Sequence, residues 1–241
     1  MSMATQQAST AQRQFVKYTF LKVQPGWRGL SAEERRAGKA EVAGVIEAFA
    51  DRLMIRSYST IGTRGDCDLL LWTVGDRLED VQALVSQLFG TRMGLYLEVP
   101  YSYLAMTRRS QYIEQHQHAG QEGARLRVRP VGSKYLFVYP FVKTRAWYLL
   151  PKEERQAMMD AHISTGHRYP SVRINTGYSF GLDDQEFVVA FETDSPSDFL
   201  DLVMELREVR ASEYTLRDTP IFTCVGMAPG EALDMLATAR E

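Results

Sequence analysis

The hydrophobic residues of this chain follow strand-like and helix-like spacings in a regular order. Residues 15–23 are rich in β-branched and aromatic side chains, which is typical of a strand. Ser31 to Glu34 forms a capping box, and the apolar residues that follow it recur at helical spacing. Further strands are predicted at 53–61, 67–74 and 95–106, with an amphipathic helix at 78–88. The resulting order, β-α-β-β-α-β, is that of a ferredoxin-like unit.

The second half of the chain repeats this order. Trp27 corresponds to Trp147, and the run Glu-Glu-Arg occurs at 33–35 and again at 153–155. An internal repeat of this length fixes the architecture. We therefore predict an α+β protein in which two duplicated ferredoxin-like units form a dimeric α+β barrel-type fold, with a pocket between sheet and helices. In the second copy, strands are predicted at 135–142, 171–180, 186–192 and 214–225, and helices from Pro151 onward, at 197–209 and at 229–240.

The repeat also divides the chain into segments. A disordered polar lead is predicted at residues 1–13, and the N-terminal ferredoxin-like repeat at residues 14–106. A polar connecting segment follows at 107–132, and residues 133–241 form the C-terminal repeat. Gly181 to Asp184, which pairs two carboxylates, is interpreted as a hairpin turn in which Asp caps backbone N–H groups, because the first copy has a similar acidic turn.

Composition narrows the class of protein. The 241 residues are 45% hydrophobic and 24% charged, which is typical of a globular domain with a sizeable core. A net charge of −2 argues against nucleic-acid binding, and no apolar run is long enough to insert in a membrane. Cys67 and Cys224 lie in no CxxC motif, so neither a disulfide framework nor a thiolate metal site is expected. The cytoplasm is the predicted compartment.

One residue breaks the symmetry of the repeat. His162 stands eight residues after Glu154, and its counterpart eight residues after Glu34 is Val42, which belongs to an inward apolar stripe. An imidazole at an inward position is costly unless it finds a partner. A lone histidine on such a face is more often a core residue bonded to a carbonyl oxygen. The alternative is a neutral imidazole that binds a metal or a heme iron.

The long motifs of the second copy resemble a known family. The segments YPFVKTRAWYLLP and SFGLDDQEFVVAFE, with His162 between them, are similar to the chlorite dismutase and coproheme decarboxylase superfamily. The resemblance covers the chain from about residue 15 to residue 224. It implies a duplicated ferredoxin-like fold, a homopentamer, and a heme bound on the C-terminal repeat through a histidine of a helix. His162 matches that iron ligand.

The resemblance also indicates which branch of the family to expect. Chlorite dismutases carry an arginine in the strand before the GLDD turn, and Ile174 occupies that place here. Arg173 is adjacent, but strand alternation directs it to the opposite face. Coproheme decarboxylases carry a tyrosine and a lysine four residues apart, which match Tyr139 and Lys143. The chain is most similar to the actinobacterial type of coproheme decarboxylase.

The implied reaction is the hydrogen-peroxide-dependent oxidative decarboxylation of two propionates of coproheme III, which yields heme b. Tyr139 would be the radical residue, and Lys143 would hold a propionate as a point charge. A histidine of the connecting segment would be the distal base, with His118 preferred and His116 as the alternative. The other residues expected around the porphyrin are Arg125 with its neighbours Arg127 and Arg129, Ile174, Trp147, and the weaker candidates Tyr101, Tyr103 and Arg217.

Two other functions stay open. The first is another heme oxidoreductase, either a chlorite-degrading enzyme or a peroxidase. The second is a non-catalytic heme-binding protein on the same barrel. The partners implied by the resemblance are coproheme, hydrogen peroxide, further copies of the chain in a homopentamer, and a transient contact with the ferrochelatase of the heme pathway.

Overall fold

The computed structural model of the protein describes residues 12–112, 127–128 and 130–236. The N-terminal repeat has the predicted order of strands and helices. Its elements are β1 (Phe15–Val23), α1 (Ala32–Ala48), β2 (Leu53–Ser59), β3 (Leu69–Gly75), α2 (Leu78–Phe89) and β4 (Leu97–Met106), with short 3₁₀ helices at Pro25–Gly29 and Met93–Tyr96. The capping box of α1 is present: Ser31 Oγ accepts from the Glu34 N–H at 3.2 Å, and the Ser31 N–H donates to the Glu34 carboxylate at 2.9 Å.

The C-terminal repeat has the same order with local changes. Its elements are β5 (Tyr135–Lys143), α3 (Arg145–Leu149), α4 (Lys152–His167), β6 (Arg173–Tyr178), β7 (Phe187–Thr193), α5 (Pro196–Glu208), β8 (Thr215–Arg217), β9 (Phe222–Met227) and α6 (Pro229–Asp234), with a 3₁₀ helix at Arg210–Tyr214. The single strand predicted at 214–225 is wrong, because it is split into β8 and β9. Pro220 lies in the gap, where its missing N–H could not serve a ladder.

Two helix predictions also need correction. Pro151 is the N-cap of α4 and not its first residue, so the helix begins at Lys152. The short α3 was not predicted, because five residues give no periodicity to detect. The hairpin interpretation of Gly181 to Asp184 is confirmed: Gly181 has a φ of +71°, and Asp183 accepts from the N–H groups of Leu104 and Asp184.

The strands close into a barrel, as predicted. The described strands run in the order β7-β6-β4-β1-β3-β2-β9-β5-β8, and β5 also pairs with β7, which closes the ring. The two repeats join where β2 pairs with β9 and where β4 pairs with β6. Alternate residues of each strand therefore point into the barrel or outward to the helices. No helix in the described ranges is long and apolar enough to cross a membrane.

The two repeats fill the space between sheet and helices differently. The N-terminal repeat has one continuous core there, which includes Trp27, Val42, Ile46 and Leu84. The C-terminal repeat has two smaller ones. We call them the Tyr139 cluster (buried members Phe137, Tyr139, Val172, Phe191, Phe199 and Leu202) and the Trp147 cluster (buried members Trp147, Met158 and Ala211).

Candidate functional site

Strand β5 supplies two of the predicted site residues. Leu136 and Val138 point into the barrel, where they pack in its core. Tyr139 therefore faces the helices, and Lys143, four residues further on, faces the same way. The sequence expectation that these two side chains share one face of the strand agrees with the structure.

Tyr139 lies in an aromatic environment. Its ring is 9% exposed and stacks on Phe191 with the ring centroids 5.8 Å apart. Burial raises the pKa of the phenol well above its usual value, and the negative charge of Asp218 raises it further, while Arg207 acts in the opposite direction. Asp218 and Arg207 form an ion pair with each other. The phenol is consequently protonated at neutral pH.

Lys143 is a buried cation between the two clusters. Its ammonium lies 4.6 Å from the ring centre of Trp147 and 5.4 Å from that of Phe141, and it donates a hydrogen bond to the carbonyl oxygen of Ala211. Burial lowers the pKa of Lys143 to about 8, and the carboxylate of Glu186 opposes this effect. An ammonium has three donors, so the contact with Ala211 leaves two for a ligand.

His162 lies on α4 at the position that Val42 occupies on α1. Val42 is 1% exposed, whereas α4 packs less tightly, with only Met158 and Thr165 buried. Burial lowers the pKa of His162 to about 4, and the positive charge of Lys143 contributes. The imidazole is therefore neutral at pH 7. None of the hydrogen bonds among residues 12–112, 127–128 and 130–236 involves its ring, so the carbonyl-bonded core histidine is not what this part of the chain shows.

Ile174 lies on the helix-facing side of the sheet, in the orientation expected from the sequence. It is paired with Phe191 on β7 and packs against the Tyr139 cluster. The next residue, Asn175, is buried on the other face and donates to the carboxylate of Glu192 at 3.0 Å. Residues adjacent to Ile174, including Arg173, therefore point away from the side on which Tyr139 lies.

Other predicted site residues lie elsewhere. Tyr101 and Tyr103 pack on the barrel side of β4 against Phe222, and the Tyr101 hydroxyl donates to Asp66 at 2.6 Å. Arg217 is exposed, and its charge acts on Tyr103. The structure does not bring these three residues to the side where Tyr139 and Lys143 lie, because β4 and β8 present them on other faces.

The remaining candidates divide between described and undescribed parts of the chain. Trp147 is 3% exposed and lies under Lys143, with Tyr214 as a ring neighbour at 5.5 Å. Arg127 pairs with Asp76 at 3.1 Å. His116, His118, Arg125 and Arg129 lie outside the described residues.

Sequence reasoning missed three residues next to the site. Ala211 and Asp218 come close through tertiary packing, and nothing in their local sequence marks them. Glu186 could have been found from the sequence, because the repeat gives it an acidic counterpart. It follows the second hairpin as Asp68 follows the first, and both acids accept a backbone N–H from the end of a neighbouring strand, Lys143 and Val23 respectively, at 2.8 and 2.9 Å.

The described residues contain no group of three or more His, Cys, Asp and Glu side chains that could hold a bare metal ion. One neutral imidazole from the protein would nevertheless be sufficient for an iron that is also held by a porphyrin. His162 fits that use, and the divided core with the Lys143 ammonium at its middle suits a flat apolar ring that carries carboxylates.

Comparison with known proteins shows which proteins the chain is similar to. The model of a family described as chlorite dismutase matches residues 35–227. The chain is 32% identical over 212 residues to the coproheme decarboxylase of Mycolicibacterium smegmatis, covering 87% of this chain and 88% of that protein. It is 26% identical to the chlorite dismutase of Ideonella dechloratans, covering 84% and 72%. A mutant chlorite dismutase from Candidatus Nitrospira defluvii superposes with a TM-score of 0.86 at 25% identity, covering 93% and 95%.

Proposed function

The chain belongs to the chlorite dismutase family, a family of heme enzymes, and we propose that it is a coproheme decarboxylase. The proposed reaction converts two propionates of coproheme III to vinyl groups with hydrogen peroxide as oxidant, and the product is heme b. The proposal is supported by the 32% identity to a protein of that name, together with the placement of three side chains in the C-terminal repeat.

The observation that carries the proposal is the arrangement of Tyr139, Lys143 and His162. The first two share the helix-facing side of β5, and the positive charge of Lys143 reaches His162 on α4. The N-terminal repeat has Thr19, Val23 and Val42 at the corresponding places, each 120 residues earlier (for example 162 − 42). An oxidisable phenol, a cation and a neutral imidazole thus replace less reactive side chains in one copy only.

The residues fit an iron porphyrin that carries propionates. His162 would bind the iron as a neutral imidazole, since its pKa is about 4 and no proton has to be displaced at pH 7. Lys143 would hold a propionate carboxylate with the two donors that Ala211 leaves free. The bound iron would supply oxidation chemistry with hydrogen peroxide. Arg125 is proposed as a further propionate partner, and His118, or alternatively His116, as the distal base.

Tyr139 has the properties that the hydrogen transfer requires. Its raised pKa keeps the phenol protonated, and the residue is buried in a cluster with Phe137, Phe191 and Phe199. Loss of a proton and an electron would convert the phenol of Tyr139 to a phenoxyl radical. Its oxygen would then take a hydrogen atom from the propionate β-carbon. Each propionate then releases carbon dioxide, and the two electrons lost per vinyl group reduce one peroxide to water. The transfer needs the oxygen within about 3–3.5 Å of that carbon.

Ile174 favours decarboxylation over chlorite degradation. The resemblance places an arginine at this position in chlorite dismutases, where a cation would hold an anionic intermediate. The aliphatic side chain of Ile174 packs against the Tyr139 cluster and cannot do this. We therefore expect no chlorite-dependent oxygen release from the purified protein. Oxygen release at the rate of a chlorite-degrading enzyme would reverse the order of the two functions.

The cellular setting is proposed from the family resemblance. We propose a homopentamer in the cytoplasm that receives coproheme through a transient contact with ferrochelatase. The same resemblance supports Trp147 as a residue that packs beside the porphyrin, and the buried ring under Lys143 is compatible with that role.

The test mixes the protein with iron coproporphyrin III and hydrogen peroxide and measures the porphyrin mass. Two successive losses that each correspond to an oxidised propionate are expected. Tyr139→Phe should abolish both while porphyrin binding, followed by the Soret band, is kept. Tyr135→Phe is the matched control, because Tyr135 lies on the same face of β5 four residues earlier. Heme b formation by Tyr139→Phe at the normal rate would contradict the assignment.

A further inference from the structure

Glu186 joins three parts of the C-terminal repeat at the edge of the site. It is 7% exposed and stands between the hairpin at Gly181 and strand β7. One carboxylate oxygen accepts from the backbone N–H of Lys143 at 2.8 Å and from the hydroxyl of Tyr148. The other lies 3.6 Å from the guanidinium of Arg145. Glu186 thereby ties the end of β5 to helix α3, which carries Tyr148 and Trp147.

The N-terminal repeat shows which of these contacts the fold needs. There Asp68 accepts from the backbone N–H of Val23 at 2.9 Å, so an acid at this place is part of the shared architecture. The charge of Asp68 is offset by Lys22, whose ammonium is 2.8 Å away at the edge of the strand. Lys22 is partly exposed, and its ion pair has no connection with an interior site.

In the C-terminal repeat, the positive charges around Glu186 are placed differently from the Lys22 ammonium beside Asp68. The counterpart of Lys22 is Val142, and the counterpart of Val23 is Lys143. The cation has therefore moved from the solvent edge of the strand to the side that faces the helices. Arg145 also approaches Glu186, but its side chain is 89% exposed and water screens its charge. Burial lowers the pKa of Lys143 and the Glu186 carboxylate raises it, so Lys143 is the buried cation that the charge of Glu186 favours, while His162 on α4 is neutral.

The placement of Lys143 depends on the strand end that Glu186 holds. The ammonium lies over the ring of Trp147 and reaches the carbonyl oxygen of Ala211. The contact with Trp147 requires that β5 and α3 keep their relative position, and the contact with Ala211, in the 3₁₀ helix at Arg210–Tyr214, requires that the end of β5 stays in place. Glu186 is the side chain that bonds to both elements.

We propose that Glu186 is a positioning residue, which fixes the backbone of Lys143 and the helix that carries Trp147 so that the ammonium is presented to a carboxylate of the bound porphyrin. The inference rests on the proposed function in one respect, namely that the site binds a porphyrin with propionates. Its own content is that Glu186 acts through Lys143 and does not touch the porphyrin.

The test is a double-mutant cycle on the affinity for iron coproporphyrin III, measured by Soret titration without peroxide. Glu186→Ala should weaken binding about tenfold in the otherwise unchanged protein, because a backbone donor and a hydroxyl lose their acceptor. In the Lys143→Ala background the same change should cost less than about twofold, since the group that it positions is gone. Asp68→Ala removes the equivalent contact in the other repeat and should leave the affinity unchanged.

Glu186→Gln keeps an acceptor oxygen for the Lys143 N–H and should weaken binding less than threefold. This variant also decides the matter if Glu186→Ala does not fold. An equal loss with and without Lys143, or an equal loss for Gln and Ala, would overturn the proposal. Failure of the unchanged protein to bind the porphyrin would instead refute the proposed function, so the two failures are distinguishable.

Discussion

The neutral imidazole of His162 makes the stability of the ligand-free protein depend on pH. A histidine in an unfolded chain has a pKa of about 6.5, and burial beside Lys143 lowers that of His162 to about 4. The unfolded state therefore takes up a proton first as the pH falls. The stability that the neutral imidazole contributes is fully present above pH 6.5 and is lost as the pH falls towards 4.

The size of the effect follows from the same two pKa values. Each pKa difference of one is equivalent to about 1.4 kcal/mol, so the full loss below pH 4 is about 3 kcal/mol. Between pH 7.5 and pH 5.5 the linkage relation gives a loss of roughly 1 kcal/mol for this one group. Because His162 is half-buried, that figure is an upper value for the measured change.

The assay is urea unfolding of the porphyrin-free protein at pH 7.5 and pH 5.5, at one protein concentration. His162→Val restores the side chain of the N-terminal repeat and should remove about 1 kcal/mol of the pH dependence. If His162→Val is as pH-sensitive as the unchanged protein, the imidazole is not buried as described and the reasoning fails.

Further predictions concern the scaffold. On α1, Gly38→Ala should destabilise the protein by about 1–3 kcal/mol, because the new Cβ would lie 2.8 Å from the fully buried ring of Trp27. Gly44→Ala on the same helix meets nothing within 4 Å and should stabilise it by about 0.5–1 kcal/mol, so equal effects of the two in thermal unfolding would contradict this. Glu192→Ala leaves two backbone N–H groups and an amide without their buried acceptor, and urea unfolding should show a loss of about 3 kcal/mol.

The duplicated fold could be read from the sequence because each copy carries the same local signals. The capping box at Ser31 and the hairpin at Gly181 depend on neighbouring residues alone, and both are present. The split of the last strand was missed, because apolar residues continue through the gap and only Pro220 indicates a break. The strand pairings β2–β9 and β4–β6, which join the two repeats in the barrel, connect residues far apart in the sequence. No local pattern predicts such pairings, and only the duplicated architecture indicated that the barrel closes.

The site was predictable where strand or helix periodicity decides direction. Strand alternation placed Tyr139 and Lys143 on one face of β5. The alignment of the two repeats placed His162 at the position equivalent to that of Val42, which faces the core. Tyr101 and Tyr103 show the limit of such reasoning. Their residue type suits propionate binding, but which face of β4 meets the barrel depends on packing between the two repeats, and that packing directs them to Phe222.

Duplication explains how the fold tolerates a polar interior in one copy. The N-terminal repeat keeps a continuous helix-side core around Trp27, and the barrel interior is lined by buried aromatic and aliphatic residues from both copies. These two cores stabilise the chain as a whole, so the C-terminal repeat can hold Lys143 and His162 in its helix-side space, where it has only the two smaller clusters. A neutral imidazole that makes no hydrogen bond within the described part of the chain and a buried ammonium both cost stability when no ligand is bound. Porphyrin binding should therefore raise the thermal midpoint of the unchanged protein, and it should do so far less in His162→Val.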